Sequence, residues 1–596
     1  MELFNDAQKG DAEAQHNLAV LMTRGAAQWY RRAAEQGHAS AQTSLAEFYE
    51  YGQGVEKDIA EAAHWYKSAA EQGHLLAQTR IAIMYHYGHG VEADQQEAIE
   101  WSLRAAEQGN AGAQAYLGQC LDYGQGLDQD KAQAAHWYRL SADQGNALAQ
   151  NNLGVLLEEG QGVEKNQTEA FELYQRAAQK GYVQAQANLG VMLANGRGIA
   201  QNLPEAAKWY RLAATKGNGR AQNSLGVLLS NGTGVEKNDP EAARLFRLAA
   251  TQGNSFAQAN LAYMLVSGRG VQQNHAEAAQ WYRRAASQGH IRAQFNLGAM
   301  LEKGTGVDQN HAEAAQWYRR AADQGHIQAK TNLGLMLANG RGVEPNPVEA
   351  VQLYRAAAEK GDVRAQTYLG QMLASGQGVA QNSTEALQLF RRAAELGNAL
   401  AQSNLGAMLA EGQGIAKDQT EAVKWLQRAA GQGDSFAQQI LSAAQGGNSN
   451  AAIEKGLSMA VVVVRKNFKM LDQGLGIAED LNQGNFTEAM RKGFVMAVDM
   501  SVGNGVLLDK SFGVAKDLAS GNVRGAVGKS IGIAKDIAIG KDSALGQGLD
   551  VAQNLVEDNV GGAAGKSIGA VKNMLIGNES ILGKGLGMMQ GWMQKK

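Results

Sequence analysis

The sequence predicts an all-α repeat protein with a second helical array behind it, on three observations. Trp29-Tyr30, Trp65-Tyr66, Trp137-Tyr138, Trp209-Tyr210 and their counterparts down to Trp425-Leu426 recur every 36 residues over 12 units. Glycines keep the same beat: Gly37, Gly73 and Gly109 onward to Gly433 close the units, and pairs such as Gly52/Gly54, Gly88/Gly90 and Gly412/Gly414 divide them. Past residue 450 the period shifts to 37 and the composition changes with it. At 596 residues the chain is several times what one core organises, and 73 glycines beside 4 prolines suit punctuation rather than collagen or a disordered linker.

Each unit reads as two short helices. In the second, Ala41, Leu45 and Phe48 form an apolar stripe at helical spacing, and Gly52-Gln53-Gly54-Val55 stops it, since glycine takes left-handed backbone angles cheaply. The following helix starts on a cap residue in eleven units: Asp58, Asp94, Asp130, Asn166, Asn202, Asn238, Asn274, Asn310, Asn346, Asn382 and Asp418. Three residues on stand Glu61, Glu97, Gln133, Glu169 and their equivalents to Glu421, the spacing of a reciprocal capping box. Ala62, Trp65, Tyr66, Ala69 and Ala70 then supply the buried stripe.

The run Ala62-Ala63-His64-Trp65-Tyr66-Lys67-Ser68-Ala69-Ala70-Glu71-Gln72-Gly73, with Ala149-Gln150-Asn151-Asn152-Leu153-Gly154, resembles the Sel1-like repeat, a relative of the tetratricopeptide repeat. The likeness runs from about Gly10 to Leu441. It implies a right-handed α-solenoid used for protein–protein contact, without catalysis. The first unit departs from it: Gly10 to Trp29 is short and lacks the G-x-G-V turn, as expected of an N-terminal cap. The expected organisation is a solenoid over 1–441, a linker over 442–450 and a glycine-rich α-helical array over 451–596.

In that last region, turn-like Gly484-Asn485, Gly503-Asn504, Gly521-Asn522 and Gly540-Lys541 predict antiparallel helices of about 15 residues. Many glycines fall inside the helical pattern, at about 0.8–1 kcal/mol each relative to alanine, so close helix contact must offset them. Gly521/Gly525, Gly528/Gly532 and Gly561/Gly565/Gly569 have the small-residue spacing of membrane helix contacts. Charges in nearly every helix oppose simple spanning. Two readings stand: hairpins that pack or oligomerise in solution, and amphipathic helices that meet a bilayer, as in a secreted effector or pore-forming toxin.

Chemistry is sparse. The formal net charge of -3 declares no nucleic acid. The lone Cys120 forms no intramolecular bridge, and His86 and His89 lack further ligands, so neither a disulfide framework nor a metal is expected. Gly565-Lys566-Ser567 fails the spacing of a phosphate loop, no catalytic constellation appears, and no cofactor is expected. Residues 1–15 do not read as a signal peptide and no apolar run is long enough to span; the cytosol is the expected compartment, with non-classical secretion open.

Two ladders remain. Asn152, Asn188, Asn260, Asn296, Asn332 and Asn404 each follow the recurring Ala-Gln position by two residues on the first helix. Amides suit an extended peptide backbone, as the related tetratricopeptide fold uses them on a concave face, but ties between one repeat and the next are the favoured reading. Arg31, Arg139, Arg211, Arg247, Arg283, Arg319, Arg355 and Arg391 line the second helix, where acids four residues on, such as Asp143, Asp323 and Glu359, predict a salt-bridged face. The expected partner is a protein or peptide held by a bacterial scaffold. His38, His74, His290 and His326, next to the closing glycines, are expected to cap helices or face solvent.

Overall fold

The computed structural model describes residues 2–21, 25–444 and 461. The candidate helix-packing or membrane glycines Gly521, Gly525, Gly528, Gly532, Gly561, Gly565 and Gly569 lie outside the described residues, as does the expected 451–596 array apart from residue 461. Among the described residues the structure is an all-α array of stacked helix pairs, with 26 helices and no strand. The chain divides into two compact bodies, 1–310 and 311–596. The described part of the first runs from helix Glu2–Gln8 to Ile291–Lys303; that of the second runs from His311–Asp323 to Ser435–Ala444.

Each repeat supplies helix A, such as Ala147–Glu159, and helix B, such as Gln167–Gln179. Helix A ends on a left-handed glycine; Gly160 has φ 75°, and Gly160 and Gln161 donate backbone hydrogen bonds to Leu156 O. The chain then crosses to the next cap, and Asn166 N donates to Leu157 O at 2.9 Å. The Asn166 side chain accepts from Glu169 N at 3.1 Å, and Asp58 does the same for Glu61 N at 3.0 Å. The reciprocal half of the expected capping box is not made, because the cap's own N–H is already used by the preceding helix A. That leaves the glutamate carboxylate for other donors.

Inside most pairs a helix B aromatic packs on a small residue of helix A, Ser102 and Leu426 taking its place in two of them. Tyr66, Tyr138 and Tyr174 are fully buried, and a Cβ on Gly154 would stand 2.8 Å from the Tyr174 ring. Glycine in a helix costs about 1 kcal/mol against alanine, and here it lets the ring lie flat on the backbone. Ala46 and Ala262 occupy the same register opposite Tyr66 and Tyr282, so the position admits a methyl, whereas Ala82 stands opposite Ser102.

In most repeats a glutamine ties helix A both to the preceding repeat and to the end of its own helix B. Gln114, on helix A, donates from Nε2 to Ala106 O at the end of the preceding helix B, while its Oε1 accepts from Gln144 Nε2 at 2.8 Å, 30 residues on. Gln42/Gln72, Gln78/Gln108, Gln222/Gln252, Gln258/Gln288 and Gln402/Gln432 repeat the second contact. In one repeat both positions are lysines, Lys330 and Lys360, and in three the second glutamine alone is replaced, by Lys180, Lys216 and Leu396. There the buried Oε1 atoms of Gln150, Gln186 and Gln366 have no hydrogen-bond partner.

Candidate protein-binding face

The six candidate asparagines share one register on the A helices, and all are half-buried. Most of their described contacts are internal. Asn188 Nδ2 donates to Asn151 Oδ1 across the repeat boundary at 3.0 Å, and its Oδ1 accepts from Arg220. Asn260 donates to Asn223 Oδ1 in the same way at 3.0 Å. Asn152 donates to the Tyr138 hydroxyl at 3.2 Å, and Asn404 to Leu400 O of its own helix at 2.7 Å. Asn296 hydrogen-bonds Tyr282. Asn332 shares their register in the second body.

Beneath this row the helix B tyrosines meet helix A carboxylates. Tyr66 OH donates to Glu50 at 2.7 Å, Tyr138 OH to Asp122 at 3.2 Å and Tyr174 OH to Glu158 at 3.1 Å. Burial first, and the neighbouring carboxylate second, push all three phenols far above their ordinary range. Tyr282 is pushed up to about 12 by burial, with the Asn296 hydrogen bond working the other way. These hydroxyls stay protonated donors at neutral pH, which suits positioning and not proton transfer.

The helix B arginines pair differently from the expectation of neighbours four residues on. Arg139 meets Glu169 at 2.6 Å, Arg247 meets Glu277 at 2.5 Å, and Arg355 meets Glu385 at 2.8 Å, each acid lying 30 residues on in the next repeat. These are the glutamates freed from the capping box, and several also accept from a tryptophan of their own helix, as Glu277 does from Trp281 Nε1 at 3.2 Å. The Arg247 hydrogen bond holds the Glu277 carboxyl below its ordinary range. The ladder is thus a clasp between repeats rather than a patch within one helix. His38, His290 and His326 cap helices as expected, each accepting from a backbone amide at 3.2 Å. His74 makes no such cap and instead meets Thr43 Oγ1 at 3.0 Å.

One feature of this face was not singled out from the sequence. Apart from Phe4, every exposed aromatic among the described residues lies on an A helix: Tyr51, Tyr87, Tyr123, Phe256 and Tyr263. The signal was present, since Tyr51, Tyr87 and Tyr123 are spaced by one repeat and stand immediately before a turn glycine. Among the described residues no group of three or more His, Cys, Asp or Glu side chains could hold a metal, and no helix is long and apolar enough to cross a membrane.

A protective antigen of uropathogenic Escherichia coli strains, whose crystal structure displays an SLR fold, is 33% identical over 74% of this chain and 97% of its own, with a TM-score of 0.60. A Sel1 repeat protein from Oxalobacter formigenes is 30% identical over 51% of this chain and 89% of its own, at a TM-score of 0.40. The immunity protein Pa5087 from Pseudomonas aeruginosa is 23% identical over 37% of this chain and 81% of its own, at a TM-score of 0.25. No curated protein sequence matches. The Sel1 repeat model matches twelve segments that follow one another from residue 12 to residue 434, and each full-length segment is one of the A–B helix pairs described above. The chain belongs to the Sel1 repeat family.

Proposed function

We propose that this chain is a non-enzymatic bacterial scaffold that holds an extended protein segment along a concave surface formed by its A helices. Sel1-repeat solenoids are generally non-catalytic binding scaffolds, which supplies the class. The observation that carries the choice of face is that, Phe4 aside, the exposed aromatics among the described residues lie on A helices, beside a half-buried row of amides in one register. Large rigid aromatics flanked by groups that both donate and accept suit an extended backbone. The A helices Ala111–Tyr123 and Ala147–Glu159, and likewise Val183–Asn195 and Gly219–Asn231, also touch one another, as they do on the inside of a curved stack.

Peptides selected from a displayed library on the full chain test this reading. Binding should fall after Asn260→Ala with Asn296→Ala and persist after Arg211→Ala on helix B. Peptides that respond only to the helix B change would remove the A-face reading.

A further inference from the structure

Tyr51, Tyr87 and Tyr123 are the last residues of the A helices Ala39–Tyr51, Leu75–Tyr87 and Ala111–Tyr123, and are 53%, 65% and 60% exposed. Each precedes a left-handed glycine, Gly52, Gly88 or Gly124, so the three rings leave equivalent points of consecutive repeats. Taking one helix packing distance, roughly 8–10 Å, as the step between repeats gives the spacing of the row. Arg80 reaches back to Tyr51 across the repeat boundary, so the rows of adjacent repeats are in contact.

The electrostatics of this stretch differ from those of the rest of the first body. Residues 39–146 carry 15 acidic against 6 basic side chains, a net -9, whereas residues 147–290 carry 10 against 14, a net +4. The excess is concentrated beside the tyrosines. The turns that follow them hold Glu56 and Asp58, Glu92 and Asp94, and Asp128 and Asp130; all are exposed except the half-buried Asp130, and the next four repeats carry Asn caps instead. One ring already shows how a cation sits here. Lys131 Nζ lies 5.8 Å from the centre of the Tyr123 ring while pairing with Asp122. The positions equivalent to Lys131 are Ile59 and Gln95, so neither Tyr51 nor Tyr87 has that lysine; Arg80 meets the Tyr51 hydroxyl, and His89 stacks on one face of Tyr87 at 5.7 Å.

We propose that Tyr51, Tyr87 and Tyr123, with the acidic turns behind them, form a docking strip for an extended basic segment of a partner protein, carrying Lys or Arg at every third residue. An ammonium or guanidinium over a tyrosine face is attracted by the ring quadrupole, and the neighbouring carboxylates add to that attraction. A polyproline II segment advances about 9 Å in three residues, which matches one repeat per basic side chain. This strip deepens the A-face reading above and rests on it.

The test is fluorescence anisotropy of three labelled peptides with the full chain: five Lys-Pro-Pro triplets, five Glu-Pro-Pro triplets, and the first composition with its lysines adjacent. The spaced lysine peptide should bind and the glutamate peptide should not. Tyr51→Ala with Tyr87→Ala should weaken binding about tenfold, whereas Tyr51→Phe with Tyr87→Phe should stay within about twofold, because the ring and not the hydroxyl meets the cation. Glu56→Lys with Glu92→Lys, on exposed turns, should weaken it as well without disturbing the fold. Absence of binding, indifference to the tyrosine changes, or equal binding of the clustered lysines would overturn the strip. Library peptides that depend on Asn260 and Asn296 but ignore Tyr51 and Tyr87 would leave the scaffold reading standing and remove this one alone.

Discussion

Residues 39–146 and 147–218 are built on the same 36-residue frame, yet the residue that ends each helix B is held by different chemistry. In the first stretch Gln72, Gln108 and Gln144 each donate to a buried glutamine oxygen 30 residues earlier. In the second, the lysines at that position reach a backbone carbonyl instead: Lys180 that of Gly145, and Lys216 that of Gly181 at 2.9 Å. The buried Gln150 and Gln186 oxygens are left without a partner. A buried unsatisfied acceptor costs on the order of 1–3 kcal/mol, and the frame nonetheless persists through both stretches. What the two share is aromatic packing into helix A, so packing sets the frame and the amide joints adjust how tightly neighbours are held.

The change expected to do most damage therefore strikes the shared element. Tyr174→Ala, in the lysine-joined stretch, empties a fully buried site and should cost about 3–5 kcal/mol in urea unfolding of the full chain. Gly154→Leu should be comparably harmful, since its Cβ already falls 2.8 Å from the ring, whereas Gly154→Ala should be mild because Ala46 and Ala262 occupy that register opposite tyrosines. If Tyr174→Ala cost no more than a joint substitution, packing would not be the common determinant.

Exchanging the joints sharpens the comparison directly. Gln144→Leu strands the Gln114 oxygen, which is buried, and should destabilise by about 1–3 kcal/mol. Lys180→Gln should do the reverse and stabilise by about 1 kcal/mol. Gln108 shows that one amide serves both acceptors: its Nε2 donates to Gly73 O at 3.0 Å and to Gln78 Oε1 at 2.8 Å. Hydrogen exchange at the amides of residues 147–182 is the readout, and unchanged protection in Lys180→Gln would mean that the stranded oxygen is solvated.

The helix pairs were legible because their signals are local: turn glycines, cap residues and an aromatic stripe all lie within one repeat. The joints were not. Gln114 and Gln144, within one helix pair, and Arg247 and Glu277, on successive pairs, are 30 residues apart, and their pairing depends on how the helices are offset in space. Local rules assigned those arginines to acids one turn away and assigned the glutamates to a capping box. The candidate asparagines were placed correctly on helix A, but the sequence could not tell that Asn188 spends both ends of its amide on Asn151 and Arg220.

Acid should separate the two stretches from another side. The residue that begins helix A is His38 or His74 at the entrance to the first stretch, but Asn146 and Tyr182 in the second. Burial holds the pKa of His16 and of His74 below the ordinary value, with the His38 charge adding to both. His16 also stacks on His38 at 4.8 Å, and Glu13 pairs with His38 at 2.8 Å. A histidine depressed in the folded state favours folding fully above about 6.5, its unfolded value, and that contribution is lost as the pH falls below it. Hydrogen exchange, corrected for intrinsic rates, should therefore loosen residues 12–74 between about pH 7 and pH 5 and leave residues 147–218 unchanged. His16→Phe should remove part of that sensitivity.

The smallest effect is expected where the two ladders meet solvent. Arg247 and Glu277 pair at 2.5 Å with side chains 45% and 28% exposed, so water and salt screen much of their attraction. Exposed ion pairs contribute roughly 0.2–1 kcal/mol, and Arg247→Ala should fall within that range at low salt and shrink toward zero at about 1 M. The same holds for Arg139 and Glu169, which join the fourth repeat to the fifth, the border between the glutamine-closed and lysine-closed joints. A double-mutant cycle over Arg139 and Glu169, repeated in the Lys180→Gln background, measures whether the clasp and the amide joint reinforce each other. Additivity is expected, because the clasp joins the B helices on the outside while the amide lies buried against helix A. A coupling above about 0.5 kcal/mol would mean that both report one shared displacement of neighbouring repeats, and the joints would then act together rather than one by one.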